Sequence, residues 1–331
     1  MNPMAPIKSV TKTRRQRGAT IVELMVALTV GMLVLLMAGA MLLSANAAYL
    51  AQVEAAALDD AGRYALELIT RAARQASFVN WERDDDSADA SMAPAGLRGL
   101  DARTLARASN AIDGADNPPG DVVNGSDVLA LRFAGAGNAA GGDGSVLNCA
   151  GFGVGRYQEG WSIFYVGRNA AGEAELRCKY RANVSWSADA IVGGIDTFQV
   201  LYGLDTDTPA DGVANEYVSA AVLDERDAAL LLPAPTAADP QAHERERLRR
   251  THWKRVTSIR VALLIHAPRR GLPGGESRVF DLFGRAYSVA AAGADAGVRL
   301  DEAQLPGEAR QRARKLFAAT VLLRNAPAGA P

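Results

Sequence analysis

An uncharged apolar segment near the N-terminus restricts the fold of this sequence more than any other feature. Residues 24–43 read LMVALTVGMLVLLMAGAMLL and contain no charged side chain. A helix of about twenty residues is about 30 Å long, which matches the hydrocarbon core of a bilayer. A helix in the core of a soluble protein is seldom apolar on every face over such a length. The segment therefore predicts a membrane-spanning helix.

The residues before this segment predict its orientation. Residues 1–18 contain no acid but five basic side chains: Lys8, Lys12, Arg14, Arg15 and Arg17. Positive charge beside a membrane span favours the cytoplasmic side, so we expect a cytoplasmic N-terminus and a domain outside the cytoplasm. Two alternatives stay open for the segment. One is a cleaved secretory signal, which normally has a shorter apolar core, and the other is a plain signal anchor.

Composition excludes several classes of function. The 331 residues include 36 basic and 37 acidic side chains, so the chain lacks the basic excess of a generic nucleic-acid binder. Two cysteines and three histidines leave little material for a metal centre. The motifs G-x-S-x-G, H-E-x-x-H, G-x-x-x-x-G-K-[ST] and C-x-x-C do not occur. We therefore predict no enzyme, no catalytic residue, no cofactor and no specific nucleic-acid partner.

The junction between the basic residues and the apolar segment carries an isolated acid. Gly18 ends the basic stretch, and Glu23 follows five residues later at the start of the apolar run. A carboxylate at a bilayer costs free energy and marks a function that involves a partner. It needs a cation or it takes up a proton, and no Lys or Arg occurs between Arg17 and Arg63. An α-amino group of another subunit would supply that cation; alternatively, Glu23 lies at headgroup depth beside Arg17.

This arrangement resembles the type IV prepilin (class III) signal. In that family a membrane peptidase cleaves after the glycine on the cytoplasmic side, and the apolar segment is kept as an assembly helix. The resemblance implies cleavage between Gly18 and Ala19, N-methylation of Ala19, and an assembly role for Glu23, whose carboxylate would pair with the terminal amine of a neighbouring subunit. The residue after the cut is usually Phe or Met, so Ala19 departs from the family pattern.

The remaining sequence predicts an α+β protein, in which a long N-terminal helix packs on an antiparallel β-sheet domain as in pilins. Residues 44–75 lack proline and carry one apolar stripe, which predicts that a single helix covers residues 19–78. We divide the chain into a leader (1–18), a transmembrane or assembly helix (19–43), its amphipathic continuation (44–78), a surface excursion (79–126) and a β-rich domain (127–331). The excursion includes a short helix near residues 100–108, and a charged helix is expected over 243–250. Strands are expected at 127–133, 161–166, 175–180, 197–202, 256–265, 279–283 and 318–323.

Cys149 and Cys178 are the only cysteines. They flank the predicted strand at 161–166, and outside the cytoplasm we expect them to form a disulfide. The alternative is two buried thiols. A bridge that closes a loop of about 30 residues stabilises a fold by roughly 3–4 kcal/mol in the chain-entropy model.

Three charged clusters are weaker candidates. An acidic loop offers oxygen ligands to calcium at Asp205, Asp207, Asp211 and Glu216, although Pro209 and the late Gly212 favour a solvated hairpin. A second acidic run at Asp84, Asp85, Asp86 and Asp89 is typical of a solvated loop, with subunit docking as the alternative. The basic cluster comprises Arg245, Arg247, Arg249, Arg250, Lys254 and Arg255; Glu244 and Glu246 dilute its charge, which favours an exposed helix over a DNA or lipid contact.

The second half of the chain is similar to the PilW family of minor type IV pilins. The stretches that carry the similarity are TFQVLYGLDTD at 197–207, WKRV at 253–256 and LLRN at 322–325. The resemblance implies a structural subunit that helps to prime pilus assembly or lies near the filament tip. Its implied partners are other minor and major pilins, the prepilin peptidase, the inner-membrane assembly platform and the lipid bilayer. The implied location is the inner membrane with a periplasmic domain, and then the pilus at the cell surface. Two alternatives remain: a minor pseudopilin of a type II secretion system, and a membrane-anchored periplasmic enzyme or binding domain.

Overall fold

A computed structural model describes residues 18–80, 92–112, 122–182, 185–235, 239, 241–270, 277–291 and 293–325. The chain divides into two compact units, Met1–Glu54 and Ala55–Pro331. The predicted basic leader up to residue 17 and the acidic run at Asp84–Asp89 lie outside the described residues.

One long helix, α1, covers Ile21–Gln75, close to the predicted range of 19–78. In the first unit, none of the residues from 21 to 53 is buried. In the second unit, the helix buries one stripe at three- and four-residue spacing, namely Leu58, Gly62, Ala65, Ile69, Ala72 and Ala73. The second part of α1 is therefore amphipathic, as its sequence pattern predicts.

The second unit contains a five-stranded antiparallel sheet whose strands follow one another in chain order. The strands are β1 (Leu97–Leu100), β2 (Val128–Ala134), β3 (Glu159–Arg168), β4 (Ala174–Arg181) and β5 (Trp186–Gly193). β2 and β3 each contain a continuous apolar run, whereas apolar and charged residues alternate in β4. All three coincide with predicted strands.

A second antiparallel sheet has the strand order β11-β8-β6-β7. Its strands are β6 (Ile195–Leu204), β7 (Glu216–Val218), β8 (Val256–Arg270) and β11 (Arg312–Leu322), and a two-stranded ribbon pairs β9 (Val279–Asp281) with β10 (Arg299–Asp301). Four short helices complete the described elements: α2 (Ala220–Ala228), α3 (Ala242–Arg250), α4 (Arg285–Ala290) and α5 (Gly307–Arg310). Two 3₁₀ turns cover His252–Arg255 and Glu302–Gln304.

One apolar core joins both sheets and the second part of α1. Strand β6 is buried at all ten of its residues, and it contributes Phe198 and Tyr202 to this core. Phe164 of β3 and Ile69 of α1 belong to the same cluster. The predicted α+β architecture, a long N-terminal helix with an antiparallel sheet domain, is confirmed.

The short helix predicted near residues 100–108 is wrong. That stretch forms turns and extended backbone after β1. Its conformation is fixed by contacts far along the chain: the Thr104 hydroxyl donates to the Val166 carbonyl oxygen at 2.7 Å, and the Ala102 amide donates to Asp127 at 3.0 Å. Leu105 is 5% exposed, so the segment covers the sheet instead of lying free on the surface.

Candidate functional site

Gly18 and Ala19 are the first described residues, and both are exposed. A Cβ atom added at Gly18 would meet no other atom within 4 Å. The predicted cleavage position is therefore open on the chain itself, just before α1 begins at Ile21.

Thr20 and Glu23 form a reciprocal hydrogen-bonded pair at the start of α1. The Glu23 carboxylate accepts from the Thr20 amide at 2.9 Å and from the Thr20 hydroxyl at 3.1 Å, while the Glu23 amide donates to that hydroxyl at 3.3 Å. This is the capping-box arrangement of a T-x-x-E sequence, and it explains where the helix starts. Among the described residues, the Glu23 carboxylate has these two hydrogen bonds from Thr20 and no ion pair with Lys or Arg.

The helix that follows has the surface of a membrane segment. Among the described residues it is the one helix long and apolar enough to cross a bilayer. Its large apolar side chains are exposed, for example Leu35 at 73% and Met41 at 76%. Such a surface is stable only when lipid or other apolar helices cover it.

The predicted disulfide between Cys149 and Cys178 is present. Cys178 lies in β4, and Cys149 lies in the loop between β2 and β3, with 5.9 Å between the two Cα atoms. The Cys149 amide donates to the hydroxyl of Ser162 in β3 at 2.9 Å, so the loop is also tied to the neighbouring strand. Both cysteines are at least nine-tenths buried.

The acidic loop between β6 and β7 brings together three of its four predicted ligands. One carboxylate oxygen from each of Asp205, Asp207 and Asp211 lies within 4.8 Å of the others. Glu216 is not part of this group, because it forms an ion pair with Arg226 of α2 that lowers the pKa of the glutamate.

The loop's own donors already satisfy these carboxylates. Asp205 is 2% exposed and accepts from the amides of Asp207 and Gly212, and Asp211 accepts from the Val213 amide. The Asp207 carboxylate accepts from the side-chain amide of Asn215 at 3.0 Å. This pattern is that of the favoured hydrogen-bonded hairpin loop, and calcium binding stays the untested alternative.

Three of the six members of the basic cluster are paired with carboxylates. In α3, Arg247 pairs with Glu244 and Arg249 with Glu246, and Arg245 pairs with Asp239. No side chain of α3 is buried. Arg250 and Arg255 donate to backbone carbonyl oxygens, and Lys254 is 7% exposed. The geometry fits the predicted charged, exposed helix.

Comparison with known protein families gives two matches. The family described as type IV pilus-assembly protein W matches residues 163–325, and the prokaryotic N-terminal methylation motif matches residues 13–39. The chain is a PilW-like, type IV prepilin-like protein. No curated protein and no solved structure matches it.

The two matches divide the chain in the same way as its physical features. The methylation motif covers Gly18, Glu23 and the exposed apolar start of α1, whereas the PilW match runs from β3 to just beyond β11. The two matches support a type IV pilus-associated, pilin-like role for this PilW-like chain, suggest a structural protein, and suggest interaction with other pilus components. The motif and the apolar helix are consistent with anchoring in a membrane.

Sequence reasoning missed a charged cluster in the domain of this PilW-like chain. His266 of β8 lies 3.0 Å from Asp196 of β6, and Arg314 of β11 lies 2.7 Å from the same aspartate. Arg312 contacts both His266 and Glu173. The partners are 46 to 139 residues apart in sequence, so no local pattern indicates that they meet.

Proposed function

We propose that this PilW-like chain is a minor type IV pilin, which helps to prime pilus assembly or lies near the filament tip. The observation that carries the proposal is the combination of Gly18 and Glu23 with a helix whose residues 21–53 are all exposed and whose residues 24–43 carry no charge. Such a helix polymerises with similar helices once the leader has been removed. The PilW match over the second half of the chain supports the pilus as the destination.

Processing at Gly18 prepares the helix for assembly. The prepilin peptidase cleaves between Gly18 and Ala19, and the new α-amino group of Ala19 is N-methylated. This places a cation at the subunit's own N-terminus, close to the Thr20 amide that Glu23 caps at 2.9 Å. Glu23 then pairs with the terminal amine of a neighbouring pilin, because a buried carboxylate requires a counter-charge.

The location follows from the same arrangement. The chain first crosses the inner membrane once, with its basic N-terminus in the cytoplasm and its domain in the periplasm. The Cys149–Cys178 disulfide fits an oxidising compartment. The assembly platform then moves the subunit out of the bilayer into a pilus, where its partners are other minor and major pilins.

Mass spectrometry of the mature N-terminus tests the processing step. We expect a chain that begins with N-methylated Ala19, and we expect Gly18→Val to retain the leader. Gly31→Val is the matched control, since an added Cβ at Gly31, as at Gly18, meets nothing within 4 Å. An intact leader in the wild-type protein, or a cut beyond the apolar segment, would contradict the proposal.

Shearing of pili tests the role of Glu23. We expect Glu23→Gln to insert into the membrane at wild-type level but to disappear from sheared pili. Glu67→Gln is the control, because Glu67 is an exposed carboxylate on the same helix in the other unit. Normal incorporation of the Glu23 variant would favour a membrane-anchored enzyme or binding domain. Recovery with secretion pseudopilins instead of pili would favour the pseudopilin alternative.

A further inference from the structure

A buried charged cluster lies at the end of the four-stranded sheet. Asp196, His266, Glu302 and Arg314 are each at most 9% exposed. Arg314 lies 2.7 Å from Asp196 and 3.3 Å from Glu302, so its charge is balanced by two carboxylates. A buried arrangement of this kind is stable only if each member keeps its partners.

Arg312 connects this cluster to the other sheet. It opens β11 and forms two hydrogen bonds, of 3.1 and 3.2 Å, with the carboxylate of Glu173. Glu173 belongs to the turn between β3 and β4 of the five-stranded sheet. The Arg312–Glu173 pair therefore fastens that turn to the edge strand of the four-stranded sheet.

The same guanidinium group constrains the protonation of His266. Nη1 of Arg312 lies 2.7 Å from Nε2 of His266, and an arginine can only donate. Nε2 must therefore carry no proton. The single ring proton is on Nδ1, which donates to Asp196 at 3.0 Å. The observed geometry is that of a neutral histidine with one defined tautomer.

We propose that His266 is a proton-sensitive latch, in which protonation of Nε2 displaces Arg312 and loosens the β3–β4 turn from β11. A second ring proton would bring two donors together at 2.7 Å, which the pair cannot tolerate. The displaced ring has an alternative partner, because Glu173 Oε2 lies 3.8 Å from Nε2. Protonation of the ring thus changes the partner of the Glu173 carboxylate, which leaves Arg312 and pairs with His266.

The charged groups around the ring come from several elements of the domain. Asp196 faces it from β6, Glu173 from the β3–β4 turn, and Arg312 from β11, with Arg314 and Glu302 behind Asp196. Hydrogen bonds from Arg312 lower the pKa of Glu173, so this carboxylate stays ionised where a histidine normally titrates.

Nuclear magnetic resonance of the full chain in detergent micelles tests the latch, because the three histidines give a simple spectrum. At about pH 8 we expect the Nε2 resonance of His266 to be that of an unprotonated nitrogen, with a contact to Arg312. Between about pH 8 and pH 5 we expect this contact to be lost, and the amide resonances of Gly172 and Glu173 to shift with the same midpoint as the ring.

Variants separate the latch from general acid effects. His266→Gln should abolish the shifts of the turn residues in this range. His252→Gln should leave them unchanged, since His252 pairs with Asp227 of α2. If His266→Gln does not fold, Glu173→Gln serves instead: it should keep the Arg312–ring contact at high pH and uncouple the turn from the ring titration. A proton on Nε2 at about pH 8, or turn shifts that persist without His266, would overturn the proposal.

Discussion

The two parts of helix α1 differ in how much of their surface is buried within their own unit. From residue 21 to residue 53 no side chain is buried, whereas Ala65, Ile69 and Ala73 of the later part are 0% exposed. The later part has a polar face, which water solvates, and an apolar face, which the domain core covers. Residues 24–43 of the earlier part are apolar on all sides, so lipid or other subunits must cover them.

This contrast predicts which substitutions destabilise the protein. Ile69→Ala removes a fully buried side chain and should lower the free energy of unfolding of the domain by about 4 kcal/mol. Leu35→Ala, at a residue 73% exposed, should leave that free energy unchanged. Denaturant titration of the full chain in micelles, followed by tryptophan fluorescence, measures both. Equal losses from the two variants would show that the parts of α1 are not energetically distinct.

The disulfide offers a way to weaken the domain without touching α1. Replacing Cys149 and Cys178 with alanine removes a link across a sequence separation of 29 residues. We expect a loss of about 3 kcal/mol, chiefly because the unfolded chain gains conformational freedom. Reduction of the wild-type protein is the control and should give a similar loss. A stability that does not change would mean that the bridge adds nothing to the contacts of Cys149 with β3.

The sequence was sufficient to predict the long helix, most of the longer strands and the disulfide. The approximate bounds of α1 and the strands β2, β3, β4, β6 and β8 follow from apolar runs or from apolar–polar alternation. The disulfide follows from the only two cysteines. The Gly18 and Glu23 signal is also local. Each of these features depends on residues close together in sequence or on a residue type that has a single partner.

The features that sequence reasoning missed depend on distant partners. Strand β11 begins at Arg312, six residues before the predicted start at residue 318. The prediction missed these residues because the charged side chains of Arg312, Arg314 and Lys315 are not typical of a strand. Their charges are matched by Glu173, Asp196 and Asp59, which come from three other elements. Short edge strands such as β1 and β7 were missed because their pairing, rather than their composition, defines them.

Glycine substitutions sharpen the contrast between the two parts of α1. A Cβ atom at Gly62 would run into the ring of Phe317 on β11, whereas one at Gly31 meets nothing within 4 Å. We expect Gly62→Ala to destabilise the domain by about 1–2 kcal/mol, since the ring must move and a packed core resists the change. Gly31→Ala should be neutral for domain unfolding and favourable for helix formation by up to about 1 kcal/mol. Stabilisation by Gly62→Ala would contradict the close packing of α1 against the Phe317 ring of β11.

The smallest expected effect concerns a buried acid in the domain. Burial raises the pKa of Asp295 to about 6, and the Tyr287 hydroxyl that donates to it opposes the shift. The folded state therefore binds the proton more tightly than the unfolded chain, so the domain loses stability as the pH rises from about 4 to about 6. Asp295→Asn removes this loss while its side-chain oxygen still accepts from Tyr287.

We expect Asp295→Asn to be more stable than the wild type by roughly 1 kcal/mol above about pH 6, after discounting for solvent screening, and to lose this advantage below about pH 4. Asp143→Asn is a control of opposite sign, because hydrogen bonds from Ser145 lower the pKa of that exposed aspartate. Its charged form is the one that the fold stabilises, so its contribution is present at neutral pH and is lost on acidification. Denaturant titrations at several pH values measure both variants. If Asp295→Asn has the same pH dependence of stability as the wild type, this carboxylate is hydrated in the folded protein. Other ionisable groups then determine how the stability of the domain changes with pH.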